Sequence, residues 1–192
     1  MPSKNRAIVG YESPIKTLLP VLMLALSLMT SAARAKIPQE APMNLSSPDF
    51  SEGGNIPERF TCDGKDISPT LKIDGIPKEA KSLALIVDDP DAPGGNFTHW
   101  LMWNVVPDLT EIAANRPPSH AVQGVNDFGK SKYSGPCPPP GIHRYYFKLY
   151  ALDTTLALPP TSKRKAVDSA IKGHILAEAT LMGRYARKGN KR

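Results

Sequence analysis

The stretch Ser82-Leu83-Ala84-Leu85-Ile86-Val87-Asp88-Asp89-Pro90-Asp91-Ala92-Pro93 decides how the chain folds. Its first six residues form a nearly continuous apolar run of strand length, which predicts a central strand covered on both faces. Three carboxylates then follow within four residues and lead into a proline-rich turn. Carboxylates this close repel one another, so they need hydrogen bonds, a cation or a ligand. The same residues also suit an ordinary solvated Asp-Pro turn.

Further β-prone stretches lie on both sides of this strand. Alternating or β-branched residues, separated by turn residues, predict strands at 44–50, 56–60, 68–73, 99–106 and 142–152. In the last of these, alternation puts His143 and Tyr145 on one face and Arg144 on the other. Residues 110–127 sustain no period and predict a long surface excursion.

A helical pattern lies in the C-terminal part of the chain. Apolar residues recur at helical spacing from Val167 to Tyr185, with Thr161 or Ser162 as the N-cap. His174 falls on the apolar face of this helix and is predicted to be a packed core side chain. With 192 residues, 20 prolines and 14 glycines, the chain is therefore predicted to form one mainly β domain with a helix toward its C-terminus.

The N-terminal residues differ in composition from the rest. Basic residues precede an apolar run from Leu18 to Met29, and Ala33-Arg34-Ala35 follows it. This order is typical of a secretory signal peptide over residues 1–35, cleaved after Ala35. An uncleaved membrane anchor is the alternative, although the run is short for a membrane span. Residues 36–42 are predicted to form a flexible mature N-terminus. We therefore expect a periplasmic or secreted protein with no transmembrane segment after cleavage.

The formal net charge of +6 is concentrated at the two ends of the chain. The body is mildly acidic, whereas the last residues form a basic tail at 188–192. A solvated, frayed terminus accounts for this tail, and an exported protein meets little nucleic acid. We therefore expect no nucleic-acid partner.

The whole sequence contains two cysteines, Cys62 and Cys137. An even number in an exported chain fits one disulfide, with free thiols as the alternative. No CxxC spacing or Cys/His cluster occurs, so we expect no zinc site. No phosphate-loop or dinucleotide motif occurs either, and we expect no cofactor.

Several polar residues fall at the ends of successive predicted strands. Asp89 or Asp91, His99 and His143 could meet at one end of a sheet, and Tyr145 would join them. Histidine, tyrosine and backbone N–H groups donate hydrogen bonds to phosphate or carboxylate oxygens, so such a pocket suits a small anion. Neither the H-E-x-x-H nor the G-x-S-x-G pattern is present. We predict binding without catalytic residues, with a hydrolase of a small ester or phosphoester as the alternative.

Three segments together resemble a known family, the phosphatidylethanolamine-binding proteins, and in particular its bacterial Raf-kinase-inhibitor-like branch of the YbhB/YbcL type. In order and spacing, the signature segments are Asp89-Pro90-Asp91-Ala92-Pro93, His99-Trp100 and Gly141-Ile142-His143-Arg144-Tyr145. Four further segments fit that branch: 62–69, 124–129, 135–138 and 173–177. The resemblance covers residues 43–185, almost all of the predicted mature chain.

The resemblance implies a large antiparallel sheet packed with a smaller one, in a single domain at 43–187. It also implies an anion pocket for phosphate-like groups such as a phospholipid head group. By position, the ligand-binding residues are Asp89, Pro93, His99, Gly135, Pro136, His143 and Tyr145, and the structural residues are Asp91 and Arg144. Eukaryotic members regulate protein partners such as kinases or proteases, but export argues against a cytoplasmic kinase here. A partner-binding module that uses the loops at 110–140 is a third hypothesis.

The three neighbouring carboxylates are expected to differ in role. Asp89 is predicted to face the ligand, and Asp91 to hold the turn through backbone hydrogen bonds. Asp88 is predicted to contact solvent or a neighbouring loop.

Overall fold

Strands dominate residues 42–188, the part of the chain that this computed structural model describes. They are β1 Asn44–Ser46, β2 Leu71–Asp74, β3 Ser82–Asp89, β4 Phe97–Val105, β5 Glu111–Ile112, β6 Val122–Gln123, β7 His143–Leu152 and β8 Ile175–Tyr185. A 3-10 helix covers Glu58–Phe60 and the α-helix α1 covers Arg164–Ile171. The predicted signal peptide, mature N-terminus and basic tail lie outside the described residues, except for positions 42 and 188.

The strands form two antiparallel sheets. The smaller sheet has the order β1-β2-β5, and the larger has the order β6-β4-β3-β7-β8. β3 is the middle strand of the larger sheet, paired with β4 and β7, and all of its residues are buried. Both the central strand and the mainly β class with a large and a small sheet are therefore confirmed.

Side-chain alternation divides the apolar residues of the large sheet between two cores. The core toward the smaller sheet contains Leu85 and Trp100, among others. The core on the opposite face contains Ile86 and Trp103, which pack with Val167 and Ile171 of α1. The two tryptophans thus lie on opposite faces of β4. By the same alternation, the two carboxylates that end β3 lie on opposite sides of the sheet.

β8 occupies residues that the sequence assigned to the second half of a helix. α1 ends at Ile171, and Gly173 has φ +82°, a backbone region that favours glycine. From Ile175 to Tyr185 the chain pairs with β7. The helix prediction is wrong after residue 171, because pairing with a distant strand outweighs local periodicity. His174 lies exposed in the turn before β8, with its Nδ1 2.7 Å from an Asp153 carboxylate oxygen, and is not a core residue.

Smaller differences concern element ends. The N-cap of α1 is Lys163 and not the predicted threonine or serine. The strand predicted at 56–60 is instead a 3-10 helix that follows Pro57, while Asn55 forms a lone bridge with β8. The excursion at 110–127 contains the short strands β5 and β6. Among residues 42–188, no helix combines the length and hydropathy needed to cross a bilayer.

Candidate functional site

A cavity of about 200 Å³ opens at one end of the large sheet. Antiparallel pairing places the end of β3 beside the starts of β4 and β7, and all three strands contribute side chains. The polar residues that line it are Asp89, His99, His143 and Tyr145. Its other lining residues are Ala92, Pro93, Phe97, Phe128, Cys137, Pro138 and Pro139. Pockets for drug-sized molecules measure about 300–1,000 Å³, so this cavity suits a smaller ligand.

Asp89 and His143 form a buried pair in the cavity. The Nδ1 atom of His143 lies 2.7 Å from Oδ2 of Asp89. A carboxylate can only accept, so Nδ1 carries the hydrogen and donates it. The other carboxylate oxygen, Oδ1, accepts the backbone N–H of Asp91 at 2.8 Å. This leaves Nε2 of His143 to contact a ligand, and Asp89 stabilises the positive charge when the ring is protonated.

His99 contacts a neutral carbonyl group, whereas His143 contacts a carboxylate. Its Nδ1 atom lies 2.7 Å from the Ser134 carbonyl oxygen, which also can only accept, so Nδ1 is the protonated nitrogen. Burial lowers the pKa of His99, although the hydrogen bond to Ser134 and the charge of Asp89 oppose the shift. The ring is therefore neutral near pH 7, and Nε2 is a hydrogen-bond acceptor.

Tyr145 supplies a hydroxyl group without a partner. The hydroxyl oxygen is buried and has no partner in hydrogen-bonding geometry among the residues that the structure describes, although the Asp89 carboxylate is close enough to interact with it. Burial, together with the charge of Asp89, raises the pKa of Tyr145. The hydroxyl therefore remains protonated, and a ligand oxygen would relieve the cost of leaving it unpaired.

Asp91 fixes the turn after β3 to the start of β7. Its carboxylate accepts from the backbone N–H of Arg144 at 3.0 Å and from the guanidinium Nε and Nη2 atoms at 2.8 and 2.6 Å. These hydrogen bonds lower the pKa of Asp91 to about 2. The carboxylate thus joins two elements, which is a longer-range contact than the local turn bonds that the sequence predicts.

Asp88 is buried on the opposite face of β3. Its Oδ2 atom accepts from Lys148 Nζ at 2.9 Å and Arg164 Nη1 at 2.7 Å. It also accepts from Asn96 in the neighbouring loop at 3.0 Å. The predicted loop contact is present, but contact with solvent is not, because alternation directs Asp88 toward α1.

Gly135 and Pro136 support the cavity wall but are not among its lining residues. The Gly135 N–H donates to Asp66 at 2.6 Å, and a Cβ there would lie 2.2 Å from a backbone oxygen. The Pro136 carbonyl accepts the backbone N–H of Cys62 at 3.1 Å. The predicted disulfide between Cys62 and Cys137 is present, with the Cα atoms 5.4 Å apart. These contacts fix the segment that carries the lining residues after position 136.

Two phenylalanines of the lining are not predicted from the sequence. Phe97 and Phe128 pack edge to face, with ring centroids 4.8 Å apart, and both contact the His99 ring. Phe97 lies two residues before His99, and strand alternation could have identified it. Phe128 lies in a distant loop, where no periodic pattern indicates the direction of a side chain.

The geometry supports hydrogen bonding more than bond cleavage. Tyr145 can donate to a ligand and His99 can accept from one, whereas Nε2 of His143 donates only when the ring carries a second hydrogen. Among the residues that the structure describes, the lining contains no serine, threonine or free thiol, and no lysine or arginine. Within residues 42–188, no three His, Cys, Asp or Glu side chains are placed to hold a metal ion.

Comparison with known proteins identifies related chains. The family model described as phosphatidylethanolamine-binding protein matches residues 46–186. A UPF0098 protein from Methanothermobacter thermautotrophicus is 53% identical over 150 residues, which cover 76% of this chain and 99% of that protein.

Two solved structures also match. One is described as a phosphatidylethanolamine-binding protein homologue from Chlamydia trachomatis: it has a TM-score of 0.74 and 42% identity, over 77% of this chain and 99% of the other. Escherichia coli YbcL, described as a new member of the mammalian family, has a TM-score of 0.73 and 31% identity, over 77% of this chain and all of its own. None of these four descriptions names a catalysed reaction.

Proposed function

The chain belongs to the phosphatidylethanolamine-binding protein family, and from that premise we propose that its cavity binds small phosphate- or carboxylate-bearing ligands, such as phospholipid head groups. One observation carries this proposal. The Asp89–His143 pair, the neutral His99 and the unpaired Tyr145 hydroxyl all line the same cavity of about 200 Å³.

A singly protonated phosphate group satisfies all three ligand-facing groups at once. Two of its oxygens accept from the Tyr145 hydroxyl and from protonated Nε2 of His143, and its P–OH hydrogen is donated to Nε2 of His99. A carboxylate has no such hydrogen near neutral pH and leaves His99 unpaired, as does the phosphodiester of an intact phospholipid. We therefore propose that inorganic phosphate and phosphomonoesters, such as a free phosphorylated head group, bind more tightly than carboxylates.

The hydrolase alternative has less support. Asp89 orients His143 as an acid–base pair requires, but no serine, threonine, lysine or free cysteine lines the cavity in the described part of the chain. The Ser134 hydroxyl lies 3.1 Å from the buried Asn126 amide, and this serine contacts His99 through its carbonyl group. Binding without turnover is the better-supported function.

Calorimetric titration of the full-length protein with inorganic phosphate, phosphoethanolamine and acetate tests the proposal. We expect saturable binding of both phosphates and weaker binding of acetate. His143→Ala should weaken phosphate binding about 10- to 100-fold, the range for losing a charged hydrogen bond. His174→Ala is the matched control, because it removes an exposed Asp–His pair at the other end of the sheet. The proposal fails if wild type binds no phosphate, or if the two variants bind it equally well.

We also propose that the protein is exported, with residues 1–35 removed. Two observations support this. Basic residues precede an apolar run that is followed by Ala33-Arg34-Ala35, which is the order of a secretory signal peptide. The disulfide is typical of oxidising compartments. Intact-mass measurement on cell fractions tests it. We expect a protein that begins at Lys36 in the envelope or medium, and a cytoplasmic protein that begins at Met1 would contradict export.

A further inference from the structure

Asn126 lies in the loop between β6 and β7 and is only 1% exposed. Its Oδ1 atom accepts the backbone N–H groups of Phe128 and Lys130, each at 3.0 Å. Its Nδ2 atom donates to the backbone carbonyl groups of His99 at 3.0 Å and Lys132 at 2.9 Å. One buried side chain thus joins the loop to the strand that carries His99.

The chemistry of these four backbone partners requires an asparagine, while the fifth partner, the Ser134 hydroxyl at 3.1 Å from Nδ2, can donate or accept. Backbone N–H groups only donate and carbonyl groups only accept, so the orientation of the Asn126 amide is fixed by its surroundings. An aspartate at this position would keep the acceptor atom but would turn a second carboxylate oxygen toward two carbonyl oxygens. Asn126→Asp is therefore a nearly isosteric change that removes the donor half of the network and adds a carboxylate, as Asn104→Asp does at the control position described below.

The loop held by Asn126 provides two of the contacts on the His99 ring. The Ser134 carbonyl binds Nδ1 at 2.7 Å, and the Phe128 ring packs edge to face with the imidazole at a centroid distance of 5.4 Å. Two further bonds attach the loop to β4, since Thr98 donates to the Asp127 carboxylate at 2.7 Å and accepts the Asp127 N–H at 3.0 Å. The ring of His99 is thus oriented by a loop distant in sequence.

We propose that Asn126 is the positioning residue for His99: by fixing the loop on β4, it keeps the Ser134 carbonyl on Nδ1 and presents Nε2 as an acceptor to the ligand. The inference rests on the proposed function in one respect. If the cavity binds phosphate, the Nε2 acceptor that Asn126 helps to place recognises a protonated phosphate oxygen. Asn126 also accepts the backbone N–H of Phe128, so the same asparagine holds the part of the cavity rim that Phe128 forms.

The first test needs no ligand. Nitrogen-15 NMR of the histidines in the full-length protein distinguishes the two neutral tautomers, with His99→Gln used to assign the signal. We expect His99 to carry its hydrogen on Nδ1 at neutral pH. A hydrogen on Nε2 would overturn the proposal, whether or not phosphate binds.

The second test compares Asn126→Asp with Asn104→Asp. Asn104 is a matched control, because its amide also makes two bonds to a distant backbone, with Leu156 at 3.0 and 2.8 Å, but at the other end of β4. Both variants should lose stability. Only Asn126→Asp should change the His99 tautomer population and weaken phosphate binding, by about tenfold for one lost ligand hydrogen bond.

The outcomes separate this inference from the proposed function. If wild type binds no phosphate, the proposed function fails, while the tautomer of His99 still tests the role of Asn126. If Asn126→Asp keeps the Nδ1–H tautomer and wild-type phosphate affinity, Asn126 is a structural residue only and the inference is wrong. Should that variant not fold, Asn126→Ser, which retains a donor, is measured in the same way against the same criteria.

Discussion

Asp88, Asp89 and Asp91 show how the position of a single residue determines what a carboxylate does. Asp89 faces the cavity and orients His143, whereas Asp88 faces the helix and binds Lys148 and Arg164. One pleat of a strand separates these two environments. Asp91 lies beyond the strand, where its carboxylate is partly solvated.

Replacing Asp91 with asparagine should make stability less sensitive to acid. Hydrogen bonds from Arg144 lower the pKa of Asp91 to about 2, against about 3.9 in an unfolded chain. Because the folded value is the lower one, this contribution to the free energy of unfolding is present above pH ~3.9 and is lost as the pH falls toward about 2. Arg144 is half exposed, so solvent screening reduces the expected contribution to about 1 kcal/mol. Urea unfolding at neutral and acidic pH should show a difference between wild type and Asp91→Asn at neutral pH only.

Asp89→Asn provides the contrast to that variant. It should weaken phosphate binding, because a neutral amide no longer stabilises protonated His143. If Asp91→Asn weakened binding as much as Asp89→Asn, the division between a cavity residue and a turn residue would be wrong.

Among the elements, α1 is attached to the sheet by a buried charge as well as by its apolar face. Arg164 at its start donates to Asp88 at 2.7 Å, and Asp88 is fully buried. Arg164→Gln should lower the free energy of unfolding by about 2 kcal/mol, because it leaves a buried carboxylate with fewer charged partners. Thermal or urea unfolding measures this change.

A double-mutant cycle identifies the cause. With Asp88→Asn as the second substitution, Arg164→Gln should cost much less, since the carboxylate that needs compensation is gone. Equal costs in both backgrounds would show that Arg164 acts through packing, or through its other partner Asp168.

An element can be predicted from the sequence when the residues that specify it lie within the element itself. β3 and β7 are predictable because their own residues carry the apolar run or the alternation that the sheet requires. β8 is not predictable in this way, because the apolar residues of its own segment recur at a spacing that favours a helix. Its strand conformation comes from pairing with β7. Its alternation of Ile175, Ala177 and Ala179 is a weak strand signal that the helical spacing obscures.

The candidate site follows the same division. Asp89, His99, His143 and Tyr145 lie at strand ends, and the order of the strands is enough to predict that they meet. Phe128 lies in a loop whose path depends on the hydrogen bonds of a buried asparagine. Such bonds join residues through tertiary structure, and single-sequence patterns do not encode them.

For the molecule as a whole, the disulfide joins the region after the 3-10 helix to the cavity wall. It closes a loop with a sequence separation of 75 residues. Replacing Cys62 and Cys137 together with serine should lower the free energy of unfolding by about 4 kcal/mol, from the loop-closure entropy of the unfolded chain. Phosphate affinity should also fall, because Cys137 lines the cavity.

Denaturant unfolding of the double variant and of wild type with and without a thiol reductant measures the change in stability, and calorimetric titration with phosphate measures the change in affinity. The reduced wild type and the double variant should behave alike. A stability change under about 1 kcal/mol would show that the hydrogen bonds between the two segments hold the wall without the covalent bond.

The order of the elements along the chain gives this bond a further consequence. Both cysteines precede β7 and β8, so the covalent loop can close before those two strands have paired in the large sheet. The folding protein can therefore acquire one wall of its cavity before the opposite wall is in place. It becomes competent to bind only when β7 inserts beside β3, so that a ligand can stabilise the finished domain but cannot guide the early steps of its folding.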